Sequence, residues 1–402
     1  MTGPFFYLAD GKLFLHDGSA NTEVHSGILD AYIQKVRSSA ARSEWKYSGE
    51  GARFMGTYDP GSSVQSRLEA IRSEISCARF SDGILYYSLA ISGNAGIYQK
   101  RIGEGADDGI ILSTAEQSFR DFSILDGKIA VSAAFAGESH IGVCSLDRPD
   151  LKMMTEGRSY DTEPVWSPSE RGKLYFCSAG LTAAPQAEEP EMPASLPQMV
   201  MQMQKNAASA VLRGPTSICA LTLSDGALEE ILSDERYDYL HPQCTQDGAL
   251  CYIRRPYRQK KENRGGCLLD ILLLPFRLVS ALFGFFNLFS MKYSGKPLSQ
   301  SGDVRKQDEA KLIIDGNLIN AEKELRENTA KGDKNPGIIP RSWELHRKTP
   351  DGRDTLIRRG VSAFHVTENG DILCSNGSAV LCIHPDGTEE KAADIANVTG
   401  LL

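Results

Sequence analysis

Short runs of apolar residues, separated by polar turns, recur along most of the chain. Near the C-terminus, DILCSNGSAVLCIHPDGTEEKAADI reads as three strands, with a turn at Pro385-Asp386-Gly387 before the third. At the N-terminus, FFYLADGKLFLHDGSANTEVHS has the same rhythm, with turns at Asp10-Gly11 and Asp17-Gly18. Asp-Gly pairs favour hairpin turns because both residues tolerate positive φ. The pattern therefore predicts antiparallel strands joined by hairpins.

The strands and turns form copies of one unit. Two further copies are GILYYSLAISGNAGIYQKRIGEGADDGIILS and GKIAVSAAFAGESHIGVCSLDRPDLKMMTEG, and every copy except the first follows one more strand. Units that include this leading strand begin near residues 73, 118, 161, 240 and 361. The N-terminal copy lacks a leading strand, whereas the last apolar segment, NVTGLL, has no copy of its own. Pairing of residues 396–402 with residues 4–9 would complete the first unit.

Five complete units and the completed first one predict an all-β fold. We expect a six-bladed β-propeller of four-stranded antiparallel blades, closed by the C-terminal strand joining the N-terminal blade, with helical insertions on one face. Closing the ring leaves no long sheet edge unpaired, and such edges invite aggregation. A β-sandwich with helical insertions is the alternative that the pattern leaves open.

One copy carries a recognisable motif. DTEPVWSPSERGKLYF, residues 161–176, resembles the WD40-like repeat of TolB-type β-propellers, whose blades carry a Pro, an aromatic residue and a Ser-Pro-Asp-Gly turn. Pro164, Trp166, Ser167 and Pro168 match this motif, whereas the next two residues, Ser-Glu, depart from the usual Asp-Gly. HPQCTQDGALCYI, which begins at residue 241, is a fainter copy. The resemblance implies a propeller and says little about function.

Three insertions interrupt a single propeller domain that spans residues 1–402. They cover residues 27–72 after the first blade, 181–215 inside the fourth blade and 258–340 inside the fifth. All three are expected on one face, because loops after a second strand and connections between blades emerge on the same side. The second is a Pro/Met-rich linker and helix that either fills a gap or forms an adaptable binding surface. In the first, helical spacing of apolar residues predicts an amphipathic helix that packs on the propeller: Ile28, Leu29, Tyr32, Ile33 and Val36.

The third insertion contains the apolar stretch LLDILLLPFRLVSALFGFF, residues 268–286. It is long enough to span a bilayer, but the strands before and after it belong to one predicted blade, which excludes a single crossing. The stretch therefore lies flat on a membrane, faces a partner protein, or covers the propeller as a lid. We predict membrane or partner contact by Leu272, Leu273, Phe276, Arg277, Leu278, Leu282, Phe283, Phe285, Phe286 and Phe289.

The charge around this stretch favours a membrane. Residues 254–296 contain nine basic and two acidic residues, a net charge of +7, so the rest of the chain carries −15 of the total of −8. Each basic residue near an anionic leaflet contributes about 1 kcal/mol, and the apolar surface adds its own burial energy. We predict contact with anionic lipid by Arg254, Arg255, Arg258, Lys260, Lys261, Arg264 and Lys292.

Composition narrows the functional class. A net charge of −8 and a pI near 5.5 argue against nucleic-acid binding by the whole chain. The N-terminal segment lacks the pattern of a secretory signal. Nine cysteines without CxxC or zinc-type Cys/His spacing predict free buried thiols in a reducing cytosol, with no cofactor. No GxSxG motif of a serine hydrolase is present.

Two functional hypotheses follow. The first is a non-catalytic cytosolic propeller scaffold, which associates peripherally with the anionic inner leaflet or a membrane protein and presents a face to a protein partner. The alternative is a propeller hydrolase, similar to lactonases, with a metal in the central channel and the insertions as a lid. Glu74, Asp121, Glu163 and His241 lie near the starts of innermost strands, where the ligands of such a metal would be needed.

Overall fold

The structure is a computed structural model that describes residues 3–47, 49–54, 56, 63–103, 108–135, 137–183, 211–257, 311–314 and 317–402. The strands in these residues form antiparallel meanders, in which successive strands pair with each other. We number the meanders as sheets 1 to 6 in chain order.

Sheets 1 to 3 come from the N-terminal half of the chain. Sheet 1 contains β1 (Phe5–Ala9), β2 (Lys12–His16) and β3 (Asn21–Glu23). Sheet 2 contains β4 (Ser73–Glu74), β5 (Ala78–Ser81), β6 (Ile84–Ile91), β7 (Asn94–Arg101) and β8 (Gly109–Thr114), with β4 and β5 both paired to β6. Sheet 3 contains β9 (Ser118–Leu125), β10 (Lys128–Phe135), β11 (Glu138–Ser145) and β12 (Arg148–Met153).

Sheets 4 to 6 follow the same plan. Sheet 4 contains β13 (Ser159–Trp166), β14 (Lys173–Ala183), β15 (Val211–Thr222) and β16 (Leu228–Leu232), and one parallel bridge from Ser139 to Tyr160 links it to sheet 3. Sheet 5 begins with β17 (Tyr237–Cys244) and β18 (Leu250–Pro256); after a hairpin of β19 (Lys311–Ile314) and β20 (Asn317–Asn320), it resumes with β21 (Glu344–Lys348) and β22 (Asp354–Arg359). Sheet 6 contains β23 (Ala363–Val366), β24 (Ile372–Ser375), β25 (Val380–Ile383) and β26 (Glu389–Ala393).

The last strand of the chain completes sheet 1. Strand β27 (Val398–Leu401) pairs with β1 in antiparallel register, with Tyr7 opposite Leu401 and Ala9 opposite Val398. This is the pairing predicted from the unmatched apolar segment at the C-terminus. The Asp10-Gly11 turn of the neighbouring hairpin has φ values of 50° and 70°, which is the conformation that Asp-Gly favours.

The core consists of apolar layers between successive sheets. One cluster of buried residues joins each sheet to the next, and another joins sheet 6 to sheet 1. Members of these layers include Leu13 and Leu85, Ile97 and Phe122, Ile141 and Phe176, Ile218 and Tyr252, Ile253 and Leu381, and Tyr7 and Leu373. The Trp166 indole of the repeat motif is buried between sheets 3 and 4, where its Nε1 donates a hydrogen bond to the Ser123 carbonyl at 3.1 Å. The architecture is all-β and of the β-propeller type.

Four α-helices lie outside the sheets in the described residues: α1 (Gly27–Ser43), α2 (Gly49–Phe54), α3 (Val64–Glu69) and α4 (Ala321–Ala330). A short 3₁₀ helix, Glu44–Lys46, follows α1. Helix α1 is the helix predicted from apolar spacing; Ser26 caps it, and Ile28, Leu29 and Tyr32 pack against sheets 1 and 2. No helix within the described residues has the length and apolarity needed to cross a membrane.

The segment after α4 is held to that helix by buried polar contacts, and to sheet 6 by hydrogen bonds from the Ile338 and Ile339 N–H groups to the Asn376 carbonyl. The Asn328 side chain donates hydrogen bonds to the carbonyls of Gly337 and Ile339, at 2.7 and 3.1 Å. A Cβ at Gly337 would lie 2.2 Å from the Asn376 carbonyl oxygen, so only glycine permits this approach to the β24–β25 turn. The end of the third insertion is therefore tightly attached to sheet 6.

Candidate functional site

A cavity of about 800 Å³ lies where the first strands of the sheets meet. Every sheet contributes to its wall, as expected for the central channel of a propeller. Charged side chains from successive sheets line it: Glu74 and Arg79 from sheet 2, Asp121 from sheet 3, Glu163 from sheet 4 and His241 from sheet 5. The channel is therefore polar, and it is the candidate site that the described residues provide.

Irregular strands direct two of these side chains into the channel. Glu163 and His241 both have a φ of 53°, which is uncommon for residues other than glycine. In each case the pairing with the second strand of the sheet shifts register at this point. Such β-bulges change the direction of a side chain and are frequent near functional sites. The equivalent bulges place Glu163 and His241 next to each other across the boundary of sheets 4 and 5.

Glu163 is the centre of a hydrogen-bonded network that we call the channel cluster, formed by the half-buried Glu163 and His241 and the buried Cys177. The carboxylate accepts a hydrogen bond from the backbone N–H of His241 at 2.5 Å and one from the Cys177 thiol at 3.2 Å. The His241 Nδ1 lies 3.1 Å from Glu163 Oε1. Burial alone would raise the pKa of Glu163, but the charge and hydrogen bonds of His241 outweigh it and lower this pKa to about 2. Glu163 is therefore held as a carboxylate.

Asp121 stands beside this cluster and has the opposite electrostatic character. Its pKa rises to about 6, mainly because of burial and then because of repulsion by Glu163, although Arg79 partly offsets both. On sheet 6, burial and the nearby Arg79 charge lower the pKa of His365 to about 4. The channel thus holds one firmly ionised carboxylate and a second that titrates near neutrality.

One end of the channel is lined by aromatic and basic groups. The Arg213 guanidinium stacks on the Tyr160 ring at 3.2 Å from its centroid, and the Tyr257 hydroxyl donates to the Arg213 carbonyl at 2.6 Å. Asp238 accepts a hydrogen bond from the Thr216 backbone N–H at 3.0 Å. Stacked arginine and tyrosine side chains are common in binding surfaces.

The residues proposed for a channel metal do not gather around one point. Glu74, Asp121, Glu163 and His241 all line the cavity and Glu163 contacts His241, but no three of these four residues bring donor atoms close enough to share an ion. Within the described ranges, the donors that lie close enough to share an ion are Asp371, Cys382 and His384, which belong to sheet 6. The sequence did not single out Arg79, His365 or Cys177. A usable signal was that Glu163 and His241 each precede the proline of the repeat.

Two of the predicted lipid-binding residues are in the structure, and both pair with carboxylates. Arg254 Nη2 lies 2.5 Å from Glu344 Oε2, whereas Arg255 Nε lies 3.4 Å from Asp238 Oδ2 and its guanidinium covers the Trp343 ring. The other predicted contact residues lie outside the described residues: Arg258, Lys260, Lys261, Arg264, Leu272, Leu273, Phe276, Arg277, Leu278, Leu282, Phe283, Phe285, Phe286, Phe289 and Lys292.

Comparison with known proteins gives similarity of fold. No protein-family model and no curated protein matches the sequence. Among solved structures, the chain resembles TolB from Acinetobacter baumannii (9% identity, TM-score 0.47) over 99% of its own length and 65% of that chain. It also resembles a structure of the nidogen/laminin complex (9% identity, TM-score 0.46), over 99% of its length and 97% of that chain. A third similar structure is the tricorn protease (8% identity, TM-score 0.43), where the similarity covers 97% of this chain and 33% of that chain.

The strand pairing, the layered core and the central channel define the class as a β-propeller. The chain resembles TolB-type propeller proteins in fold.

Proposed function

We propose that the protein is a non-catalytic propeller scaffold, which binds an anionic membrane surface through its third insertion and presents its channel face to a protein partner. In this proposal the protein is cytoplasmic and peripheral to the inner leaflet. The observation that carries it is the pairing of β18 with β21, in which Leu250 lies opposite Lys348 and Arg254 opposite Glu344. The insertion between these strands begins and ends at the same end of sheet 5.

This geometry bears directly on the apolar stretch at residues 268–286. A segment whose two ends return to one side of a sheet does not cross a bilayer once. An apolar segment of this kind, flanked by basic residues, has the composition of an element that lies in the membrane interface. Arg254 and Arg255 pair with Glu344 and Asp238, so the excess that favours an anionic leaflet is that of residues 258–296, seven basic and two acidic residues or +5.

The scaffold proposal includes one closed, six-bladed ring over residues 1–402. It is supported by the pairing of β27 with β1 and by the apolar layer between sheets 6 and 1. In such a ring the insertions at residues 27–72, 181–215 and 258–340 emerge on one face. That face would hold both the membrane-binding element and the end of the channel lined by Tyr160 and Arg213.

The absence of catalysis is proposed from the state of the channel groups. The Glu163 carboxylate is ionised and already accepts hydrogen bonds from the His241 backbone N–H and the Cys177 thiol. Burial and then the Glu163 charge raise the pKa of the Cys177 thiol well above its usual value, whereas a nucleophilic cysteine needs a lowered pKa. The alternative, a hydrolase with a channel metal and a lid, would need these donors to leave their present partners.

Flotation with liposomes tests the membrane proposal. The full-length protein should float with vesicles of phosphatidylcholine containing phosphatidylserine, and should float weakly with phosphatidylcholine alone. Added salt should release it, because salt screens exposed charges. The triple variant Phe283→Ser, Phe286→Ser, Phe289→Ser should stay in the soluble fraction. Binding that persists in this variant, or that does not depend on acidic lipid, contradicts the proposal.

A matched control removes an exposed apolar side chain elsewhere. Leu228 is 59% exposed and begins β16, at the end of sheet 4 opposite the β14–β15 connection. Leu228→Ser should float as the unchanged protein does. If it also loses binding, general surface hydrophobicity rather than the third insertion explains the flotation.

A further inference from the structure

The strand register of sheet 6 brings four possible metal ligands to one face. Cys382 on β25 lies opposite Leu373 on β24 and opposite Glu390 on β26. Side chains two residues apart on a strand point to the same face. Asp371, two residues before Leu373, and His384, two residues after Cys382, therefore share the face of Cys382 and Glu390. We call Asp371, Cys382, His384 and Glu390 the sheet 6 cluster.

The donor atoms of this cluster are close to one another. His384 Nδ1 lies 2.8 Å from Asp371 Oδ1, and His384 Nε2 lies 3.8 Å from Glu390 Oε1. One donor atom each from Asp371, Cys382 and His384 lies within 4.8 Å of the other two. The imidazole thus stands between two carboxylates, with a thiol beside it.

The thiol of the sheet 6 cluster is buried, whereas its imidazole and the Asp371 carboxylate are partly exposed, so an ion can enter from solvent. Cys382 is only 1% exposed and packs in the apolar layer between sheets 6 and 1, which also contains Tyr7 and Leu401. The side chains of His384 and Asp371 are 35% and 30% exposed. A metal ion can reach the cluster from the histidine side and meet the thiol at its base.

We propose that the sheet 6 cluster binds a zinc-class divalent cation, with Cys382, His384 and Asp371 as ligands and water from the exposed side as the fourth; Glu390 contributes its nearby negative charge. A thiolate and an imidazole together select zinc or cobalt rather than calcium or magnesium, which take oxygen ligands. The thiol proton passes to water when the ion binds, and the two carboxylates offset the charge of the cation.

Only small movements are needed to form the site. Bonds of about 2.0–2.2 Å from zinc to nitrogen and oxygen separate two ligands of a tetrahedral ion by roughly 3.3 Å, so the His384–Asp371 hydrogen bond must open slightly. Without metal, burial and then the charges of Asp371 and Glu390 raise the pKa of the Cys382 thiol to about 11. The same carboxylates that disfavour an isolated thiolate attract a cation that stabilises it.

The proposed ion would connect the ends of β24 and β25 beside the boundary with sheet 1. All three protein ligands lie in or next to these two strands, so the site does not need any other part of the chain. Ligands that bind the folded state alone stabilise it by mass action. We therefore infer a structural ion, which strengthens sheet 6 where it contacts the strand pair β27 and β1.

Cobalt titration of the untagged full-length protein tests this proposal. Co²⁺ should bind with a stoichiometry of one and give the intense near-ultraviolet absorption of a cobalt–thiolate bond, and Zn²⁺ should displace it. Cys382→Ser should abolish this absorption. His384→Gln and Asp371→Asn, which change more exposed side chains, should weaken binding by at least about tenfold and keep the test informative if Cys382→Ser does not fold.

The matched control is another histidine between carboxylates. His140 lies 3.7 Å from both Glu138 and Asp161, and it is not part of the group of donors close enough to share an ion. His140→Gln should leave the cobalt spectrum and affinity unchanged. The proposal is overturned if no thiolate absorption appears, if the absorption survives in Cys382→Ser, or if His140→Gln weakens binding as much as His384→Gln.

Discussion

The channel cluster and the sheet 6 cluster contain the same chemical groups in different surroundings. Each brings together a carboxylate, an imidazole and a thiol. The channel cluster is assembled across two sheets by bulged strands, at residues with positive φ. The sheet 6 cluster is assembled within one sheet by regular strand register. The same three kinds of side chain are therefore brought together by an irregular backbone in the channel and by a regular backbone in sheet 6.

The difference in surroundings decides what each cluster does. In the channel, the Glu163 carboxylate accepts hydrogen bonds from the Cys177 thiol and the His241 backbone N–H, which take the place of water. The side chains of Glu163 and His241 are 21% and 27% exposed, against 30% and 35% for Asp371 and His384, so the clusters differ modestly in exposure and more in their hydrogen bonds. At sheet 6, His384 and Asp371 are bonded to each other near solvent, and water can replace either partner. Buried polar groups that lose a partner are costly, whereas exposed pairs contribute little. The channel cluster is therefore structural, and the sheet 6 cluster is free to exchange its hydrogen bonds for a ligand.

The largest expected effect concerns the carboxylate of the channel cluster. Glu163→Ala removes the acceptor for the His241 backbone N–H and for the Cys177 thiol. Removing one partner of a fully buried ionic pair costs about 3–5 kcal/mol. Because the Glu163 and His241 side chains are 21% and 27% exposed, we expect a loss of unfolding free energy at the low end of that range, about 3 kcal/mol, in urea titrations. Asp371→Ala, measured in EDTA, should cost less than about 1 kcal/mol.

Equal effects of the two substitutions would remove the distinction between the clusters. A small effect at Glu163 would mean that water enters the channel and replaces the carboxylate. Glu163→Gln serves as the control, because it keeps the size of the side chain and one acceptor oxygen. The unfolding free energy of Glu163→Gln should lie between those of the unchanged protein and of Glu163→Ala.

Much of the architecture was predictable from the sequence because local patterns determine it. Alternating apolar residues and Asp-Gly turns specify strands and hairpins, and the observed first strands begin at residues 73, 118, 159, 237 and 363, close to the predicted starts. The pairing of β27 with β1 was also predictable, since an unmatched apolar segment needs a partner. The split of sheet 5 between β18 and β21 followed from the interrupted repeat.

The candidate sites were less predictable because they depend on contacts between distant residues. The contact of Glu163 with His241 joins residues 78 positions apart and requires two bulges. Arg79 enters the channel from another sheet, and nothing in its local sequence distinguishes it from a surface arginine. The sheet 6 cluster has no zinc-type spacing, because its ligands come together through strand register rather than through a short motif. The apolar stretch at residues 268–286 stays a prediction from composition.

An intermediate effect is expected from Asp121, which stands beside the channel cluster. Its folded pKa of about 6 is raised above the usual value of 3.8, so the protonated form stabilises the fold. This contribution is complete below the unfolded pKa and is lost as the pH rises through about 6. Asp121→Asn imitates the protonated form. Its free energy of unfolding should equal that of the original protein near pH 4 and be larger at neutral pH by on the order of 1–3 kcal/mol. A difference that does not change with pH would contradict the assigned burial of this carboxyl.

The smallest effect is expected at the exposed edge of the sheet 6 cluster. The hydrogen bond to Asp371, and then the charges of Asp371 and Glu390, raise the pKa of His384 above its usual 6.5. A raised histidine pKa gives stability that is present below the unfolded pKa and disappears as the pH rises through the folded value. In EDTA, His384→Gln should therefore melt slightly below the original protein at about pH 5.5 and together with it in mild alkali, with a smaller difference in high salt. Added Zn²⁺ should then raise the melting temperature of the original protein and leave that of His384→Gln almost unchanged. If zinc stabilises both proteins equally, the ion binds elsewhere, and the contrast between a closed channel cluster and an open sheet 6 cluster is lost.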